Sequence, residues 1–84
     1  MDQEKIGKFI ASCRKKQNLT QAELAEKLNV SDKTVSKWET GRGYPDISLL
    51  EPIANVFGIS IAELISGNAI NNVNVSANML RSQI

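Results

Sequence analysis

The run from Thr20 to Gly41 constrains the fold most, because start and stop signals divide it into two short helices. Thr20 and Glu23 have the spacing of a capping box, in which each side chain accepts a hydrogen bond from the other residue's amide. Asn29 is the expected end of the helix that begins after Thr20, and Ser31 is the expected N-cap of the next helix. The pattern therefore predicts a helix of about two turns, a tight turn and a second helix that ends at Gly41.

One further helix is predicted before this unit and two after it. The N-terminal helix has apolar side chains at positions i, i+3, i+4 and i+7, which are Ile6, Phe9, Ile10 and Cys13. Asn18 is its expected end. A fourth helix is predicted from the cap Asp46 to Gly58, with an inner stripe of Ile47, Leu50, Ile53, Ala54 and Phe57. A second capping box, Ser60 with Glu63, begins a short fifth helix that ends at Gly67.

Pro52 conflicts with the regular pattern of the fourth helix, because proline has no amide hydrogen to donate to the helix. The apolar period runs through it nevertheless, which favours one helix. We expect a bend or a late start as the compensation.

The composition excludes several classes of function. A chain of 84 residues has room for one domain, and it contains no histidine and one cysteine. The usual general base and the commonest metal ligand are therefore missing, and neither an internal disulfide nor a Cys-based zinc site can form. The carboxylates fall on polar helix faces or at caps, and the glycines stand singly at stops. We expect neither catalysis nor a metal or other cofactor.

The chain is also expected to be soluble and cytoplasmic. Its apolar runs are short compared with the roughly 20 residues that a membrane-spanning helix needs. Near the N-terminus, the charged residues Asp2, Glu4, Lys5 and Lys8 interrupt any apolar core of a secretory signal.

The net charge of +1 hides an uneven distribution. Residues 1–45 carry nine basic and six acidic side chains, a charge of +3, whereas residues 46–84 carry one basic and three acidic side chains, a charge of −2. A nucleic-acid partner would therefore meet the first half of the chain.

The second helix of the central unit has a polar outer face. If Val35 and Trp38 point inward, the helical period turns Asp32, Lys33, Ser36, Lys37 and Thr40 outward. Such a helix fits the major groove, which is about 12 Å wide, and lysine can donate to guanine while aspartate accepts from cytosine. The same face could equally serve only to keep the domain soluble.

Residues 6–66 resemble the phage-repressor-type helix-turn-helix family, also called the Cro-repressor or XRE family. The match is carried by Arg14, Leu19–Leu28, Val30-Ser31, Val35-Ser36, Trp38–Gly41, Pro45, Leu50, Ile53-Ala54 and Phe57–Ser60. The resemblance implies an all-α, compact five-helix lambda-repressor-like DNA-binding domain with the helix-turn-helix at helices 2 and 3.

The resemblance also assigns DNA-binding roles by position. Gln21, with the helix-end amides, would hold a backbone phosphate, and Lys33, Ser36 and Lys37 would lie at base-reading positions. Ser31, Asp32 and Thr34 lie near the start of the recognition helix, where they would contact either bases or phosphates. Thr40, Arg42 and Gly43 follow it in the loop that would lie along the sugar-phosphate backbone. Arg14 and Glu39 would form a partly buried ion pair, while Ala25 and Trp38 would belong to the packing between helices. Asp32 departs from a purely basic face, since it suits the helix dipole but faces phosphate.

These roles imply a sequence-specific regulator of transcription, repressor-like, whose recognition helix at about residues 31–40 enters the major groove of double-stranded DNA. A homodimer would bind a palindromic operator with its two recognition helices about 34 Å apart. The alternative is a protein-interaction module, such as an antitoxin or anti-repressor, that uses the acidic second half and the tail of the chain.

The last stretch differs in composition from the rest. We expect residues 1–67 to form the helix-turn-helix domain and residues 68–84 to form an Asn-rich linker or tail. As a linker, residues 68–84 would lead to a C-terminal effector or oligomerisation domain, and this is the interpretation that we favour. Alternatively, the alternating Val73, Val75, Ala77 and Met79 could pair as a strand across a dimer.

Overall fold

Five helices in chain order make up the fold in the computed structural model, which describes residues 2–68. They are α1 (Gln3–Lys16), α2 (Gln21–Leu28), α3 (Asp32–Glu39), α4 (Ile47–Phe57) and α5 (Ile61–Ser66). No strand occurs between residues 2 and 68, so the predicted all-helical architecture is confirmed. The alternating Val73 to Met79 segment lies outside the described residues.

Each helix begins at a side chain that accepts a hydrogen bond from an amide in its first turn. The five capping residues are Asp2, Thr20, Ser31, Asp46 and Ser60. Both predicted capping boxes are present, and in the first the Thr20 amide donates to Glu23 Oε1 at 2.8 Å while the Glu23 amide donates to Thr20 Oγ1 at 3.0 Å. The helix starts are therefore determined locally, by side chains within three residues of the cap.

The helix ends are also local. Each helix is followed within two residues by one with positive φ, and these five residues are Asn18, Asn29, Gly41, Gly58 and Gly67. After α3, the Gly41 amide donates to the Trp38 carbonyl at 3.0 Å and the Arg42 amide donates to the Lys37 carbonyl at 2.9 Å. This pair of bonds is the Schellman arrangement, which satisfies carbonyls at a helix end. All five stops expected from the sequence are confirmed.

The centre of the core consists of one fully buried side chain from each helix. These are Ile10, Leu24, Val35, Ile53 and Leu64. Trp38 and Ala25 are buried beside them, as predicted, and Cys13 packs half-buried against the same cluster. Burial raises the pKa of the Cys13 thiol, so this cysteine behaves as a small apolar side chain.

The prediction that Ile47 belongs to the inner stripe of α4 is wrong, because Ile47 is 83% exposed. Ile47 lies on the solvent side of the first turn of α4, with exposed Asp46 and Ser48 on either side, whereas Leu49 and Leu50 in the same turn pack half-buried against the core. The helix is continuous through Pro52 and has no late start. Two hydrogen bonds from Ser48, one from the hydroxyl and one from the amide, hold the pKa of Asp46 below its ordinary value. The cap therefore keeps its negative charge to a lower pH than an aspartate without these hydrogen bonds would.

A close approach of α1 to α3 sets the position of α3. Gly7, in the middle of α1, is buried, and a Cβ atom built on it would lie 2.0 Å from the carbonyl oxygen of Trp38. Only a residue without a side chain allows the two backbones to come so close. The amphipathic stripe of α1 gave no sign of this contact, although a glycine inside a helix was a possible signal.

Candidate nucleic-acid interface

The outer face of α3 is polar, as the helical period predicted. Val35 and Trp38 are buried, whereas Asp32, Lys33, Lys37 and Thr40 are exposed and Ser36 is half-buried. Because the buried pair fixes the rotation of the helix, this polar face is held in one orientation. Its side chains offer ammonium and hydroxyl donors together with one carboxylate acceptor.

The start of α3 is stiffened by two of the predicted site residues. Ser31 Oγ accepts from the Thr34 amide at 3.2 Å, and the two hydroxyl oxygens lie 2.9 Å apart within hydrogen-bond distance. Ser31 is exposed and Thr34 is half-buried. Both residues therefore hold the first turn of α3 in place.

The end of α3 and the following loop are folded against each other. The Thr40 hydroxyl donates to the carbonyls of Ser36 at 2.9 Å and Lys37 at 3.2 Å. A Cβ atom on Gly43 would be 3.4 Å from Cδ of Lys37, so the lysine stem lies along the loop. Arg42 is exposed in this loop. The structure thus brings Lys37, Thr40, Arg42 and Gly43 together.

A cluster of three side chains connects α3 to α1 and α2. Arg14 donates from Nε to Glu39 Oε2 at 2.7 Å and from Nη2 to Glu39 Oε1 at 3.0 Å, and its Nη1 donates to the Leu19 carbonyl at 2.8 Å. The side chains of Arg14 and Glu39 are 12% and 6% exposed. This confirms the predicted ion pair, and hydrogen bonding to Glu39 raises the pKa of Arg14 further, so the guanidinium is permanently charged.

Gln21 belongs to the same cluster. It is the first residue of α2, is half-buried, and donates from Nε2 to Glu39 Oε1 at 3.0 Å. The sequence did not predict this contact, since 18 residues separate the two partners and no local pattern connects them. The bond ties the N-terminus of α2 to the C-terminal end of α3, so the expected phosphate contact and the recognition helix are held in a fixed relation.

Between residues 2 and 68, no group of three His, Cys, Asp or Glu side chains could hold a metal ion. In the same part of the chain, no helix is long and apolar enough to cross a membrane.

The chain is similar in sequence to known proteins of one family. Residues 10–64 match the model of a helix-turn-helix family. Among curated proteins, the chain is 52% identical over 50 residues to the HTH-type transcriptional activator BcrR of Enterococcus faecalis, covering 60% of this chain and 24% of that protein. It is 37% identical over 60 residues to the immunity repressor protein of Bacillus phage phi105, covering 71% of this chain and 42% of that protein.

Among solved structures, the clp gene regulator ClgR from Corynebacterium glutamicum superposes with a TM-score of 0.71 at 30% identity. The match covers 80% of this chain and 71% of that chain. The two curated relatives are much longer than the matched region, since this chain spans less than half of each.

Proposed function

Because the chain belongs to the helix-turn-helix family of the phage-repressor, or XRE, type, we propose that it binds double-stranded DNA sequence-specifically as a regulator of transcription. The observation that carries this proposal is the exposed polar face of α3, held at a fixed rotation beside the N-terminus of α2. A helix presented in this way fits the major groove of B-DNA.

Base recognition falls to the middle of α3 in this proposal. The Lys33 and Lys37 ammonium groups are suited to the N7 and O6 acceptors of guanine, and the Ser36 hydroxyl to several base edges. Asp32 can accept from the amino group of cytosine. Its negative charge opposes nearby phosphate, so it contributes to the choice of sequence at some cost in general affinity.

Backbone contacts flank the recognition helix in this proposal. Gln21 and the first amides of α2 would hold one phosphate, favoured by the positive end of the helix dipole. Thr40, Arg42 and Gly43, with Ser31 and Thr34 at the other end of α3, would lie along the sugar-phosphate chain. Arg42 is the exposed cation of this group, so it would make the largest electrostatic contribution.

On DNA the protein is proposed to act as a cytoplasmic homodimer. Its palindromic operator would place two recognition helices about 34 Å apart on one face of the duplex. The protein would act by binding and not by catalysis, as a repressor-like regulator, in line with the phage repressor that it resembles. We further propose that residues 1–67 form the DNA-binding domain and that residues 68–84 link it to an effector or oligomerisation domain. The greater length of the curated relatives supports this division.

The proposal predicts two classes of variant in a fluorescence-anisotropy titration on an operator selected from random duplex pools. Lys33→Ala and Lys37→Ala should each weaken operator binding by about 1–3 kcal/mol and leave an unrelated duplex much less affected, because they remove base contacts. Gln21→Ala and Arg42→Ala should weaken binding to both duplexes by similar factors. Arg42→Ala should also reduce the slope of log affinity against log salt concentration by about 1. If Lys33→Ala and Lys37→Ala both bound the operator as tightly as the wild type, the assignment of the recognition helix would be wrong.

A protein-interaction module is the alternative function, and the exposed Ile47 at the start of α4 is the apolar side chain that a protein partner would cover. An antitoxin or anti-repressor with this fold would use such an apolar side chain against a protein partner. The two functions differ on generic duplex DNA, where a DNA-binding domain shows a steep loss of affinity with salt and a protein-binding module shows little.

A further inference from the structure

The outer side of α1 carries a shallow groove, and none of the residues that line it belongs to the proposed DNA interface. This α1 groove has a volume of about 570 Å³ and is lined by Lys8, Ala11, Ser12, Lys15, Lys16 and Glu39. Residues 8, 11, 12 and 15 share one face of α1, because they lie at i, i+3, i+4 and i+7. Ala11 and Ser12 are small, which leaves room between the longer lysine side chains.

The α1 groove is electrostatically positive. Its one carboxylate, Glu39, is mostly buried and is neutralised by two hydrogen bonds from Arg14. Within residues 2–68, no carboxylate lies at ion-pairing distance from Lys8, Lys15 or Lys16. Three ammonium groups therefore line one concave surface without a salt bridge to any carboxylate in this part of the chain, and such clusters attract an anionic partner.

The position of the α1 groove relative to the proposed DNA interface identifies that partner. Glu39 lines the groove and also accepts the hydrogen bond from Gln21, the first residue of α2. The groove therefore adjoins the helix end where a DNA phosphate is expected, and Thr40 of the backbone-contacting loop follows Glu39 directly. Lysine suits such a surface, because its compact charge needs no fixed geometry to neutralise a phosphate.

We propose that the α1 groove is an additional contact for the phosphodiester backbone of the same duplex that α3 reads, with Lys8 and Lys15 each neutralising one phosphate. This inference rests on the proposed function and extends the DNA interface from α2 and α3 to α1. Such contacts add affinity without sequence information, so they strengthen operator and unrelated DNA equally.

Two double variants of identical net charge test the proposal. Lys8→Gln/Lys15→Gln removes two charges from the groove, and Lys5→Gln/Lys27→Gln removes two charges from exposed lysines that do not line it. Each lost phosphate contact lowers the slope of log affinity against log salt by about 0.9, which corresponds to about eightfold in affinity at 0.1 M salt. The groove variant should therefore lose between about eightfold and sixtyfold on the selected operator and on an unrelated duplex, while the control variant loses less than about threefold.

The slope of log affinity against log salt concentration decides the test. A variant that is partly unfolded shows a lower apparent affinity, but its slope changes much less. Equal slopes for the two double variants would contradict the proposed contact at the α1 groove. A steep slope for the wild-type protein would still support the proposed DNA-binding function in that case. A loss confined to the operator would also contradict the groove contact, since that result would indicate base recognition. If the wild-type protein showed no salt dependence on either duplex, the proposed function itself would fail.

Discussion

Replacing Gly7 by alanine is expected to lower the free energy of unfolding by at least about 2 kcal/mol. The added Cβ would lie 2.0 Å from the Trp38 carbonyl oxygen, so α1 and α3 would have to move apart. Overpacking of this kind costs about 3 kcal/mol or more when backbone atoms are involved, and the better helix propensity of alanine returns about 1 kcal/mol. For a domain of this size, the melting temperature should fall by roughly 8–16 °C, measured by circular dichroism.

Gly58→Ala is the matched control, because the same substitution there meets no atom within 4 Å but keeps a positive φ of 68°. It should lose about 1 kcal/mol through backbone strain alone. A melting temperature of Gly7→Ala at or above that of the wild type would mean that the close approach of α1 to α3 does not exist. Such a gain is what a glycine-to-alanine change in an unconstrained helix produces.

Replacing Arg14 by methionine is expected to cost roughly 2–4 kcal/mol of stability. The Glu39 side chain is 6% exposed. After the substitution, the side-chain amide of Gln21 is the one hydrogen-bond donor of the cluster that still contacts the Glu39 carboxylate. The substitution also removes the donor to the Leu19 carbonyl. A mostly buried charge without its partner is costly, because it has lost water as well as its counterion. Urea unfolding followed by circular dichroism measures the change directly.

Arg42→Met serves as the control for Arg14→Met, since Arg42 is exposed and the change should stay within about 0.5 kcal/mol. The double variant Arg14→Met/Glu39→Met should be less destabilised than the sum of the two single variants by at least about 1 kcal/mol, because it removes both charges together. Additive losses in this cycle would show that the ion pair does not act as a unit.

The capping residues and the helix stops could be predicted because they depend on neighbours within a few residues. The Thr20–Glu23 and Ser60–Glu63 boxes are seen with both reciprocal hydrogen bonds. The inward positions of Val35 and Trp38 followed from the helical period, and with them the outward face that forms the candidate site. Resemblance to the family supplied the Arg14–Glu39 pair, which periodicity did not indicate.

Three features could not be predicted, and each depends on how helices meet. Ile47 fits the apolar period of α4, but the side of the first turn that packs against the core carries Leu49 and Leu50, so Ile47 is 83% exposed. The hydrogen bond from Gln21 to Glu39 joins residues far apart in the chain. The α1 groove needs a residue from α3 to complete its lining, so no pattern within α1 could have indicated it.

The sequence by itself determined where the helices begin and end and which face of α3 is polar, because caps, left-handed stops and the helical period act through neighbouring residues. Only the tertiary structure decided how that face is presented. The contact of Gly7 with the Trp38 backbone and the sharing of Glu39 between Arg14 and Gln21 fix α3 relative to α1 and α2. These contacts join residues separated by 18 or more positions, and their geometry depends on the packing of whole helices, which no local pattern encodes.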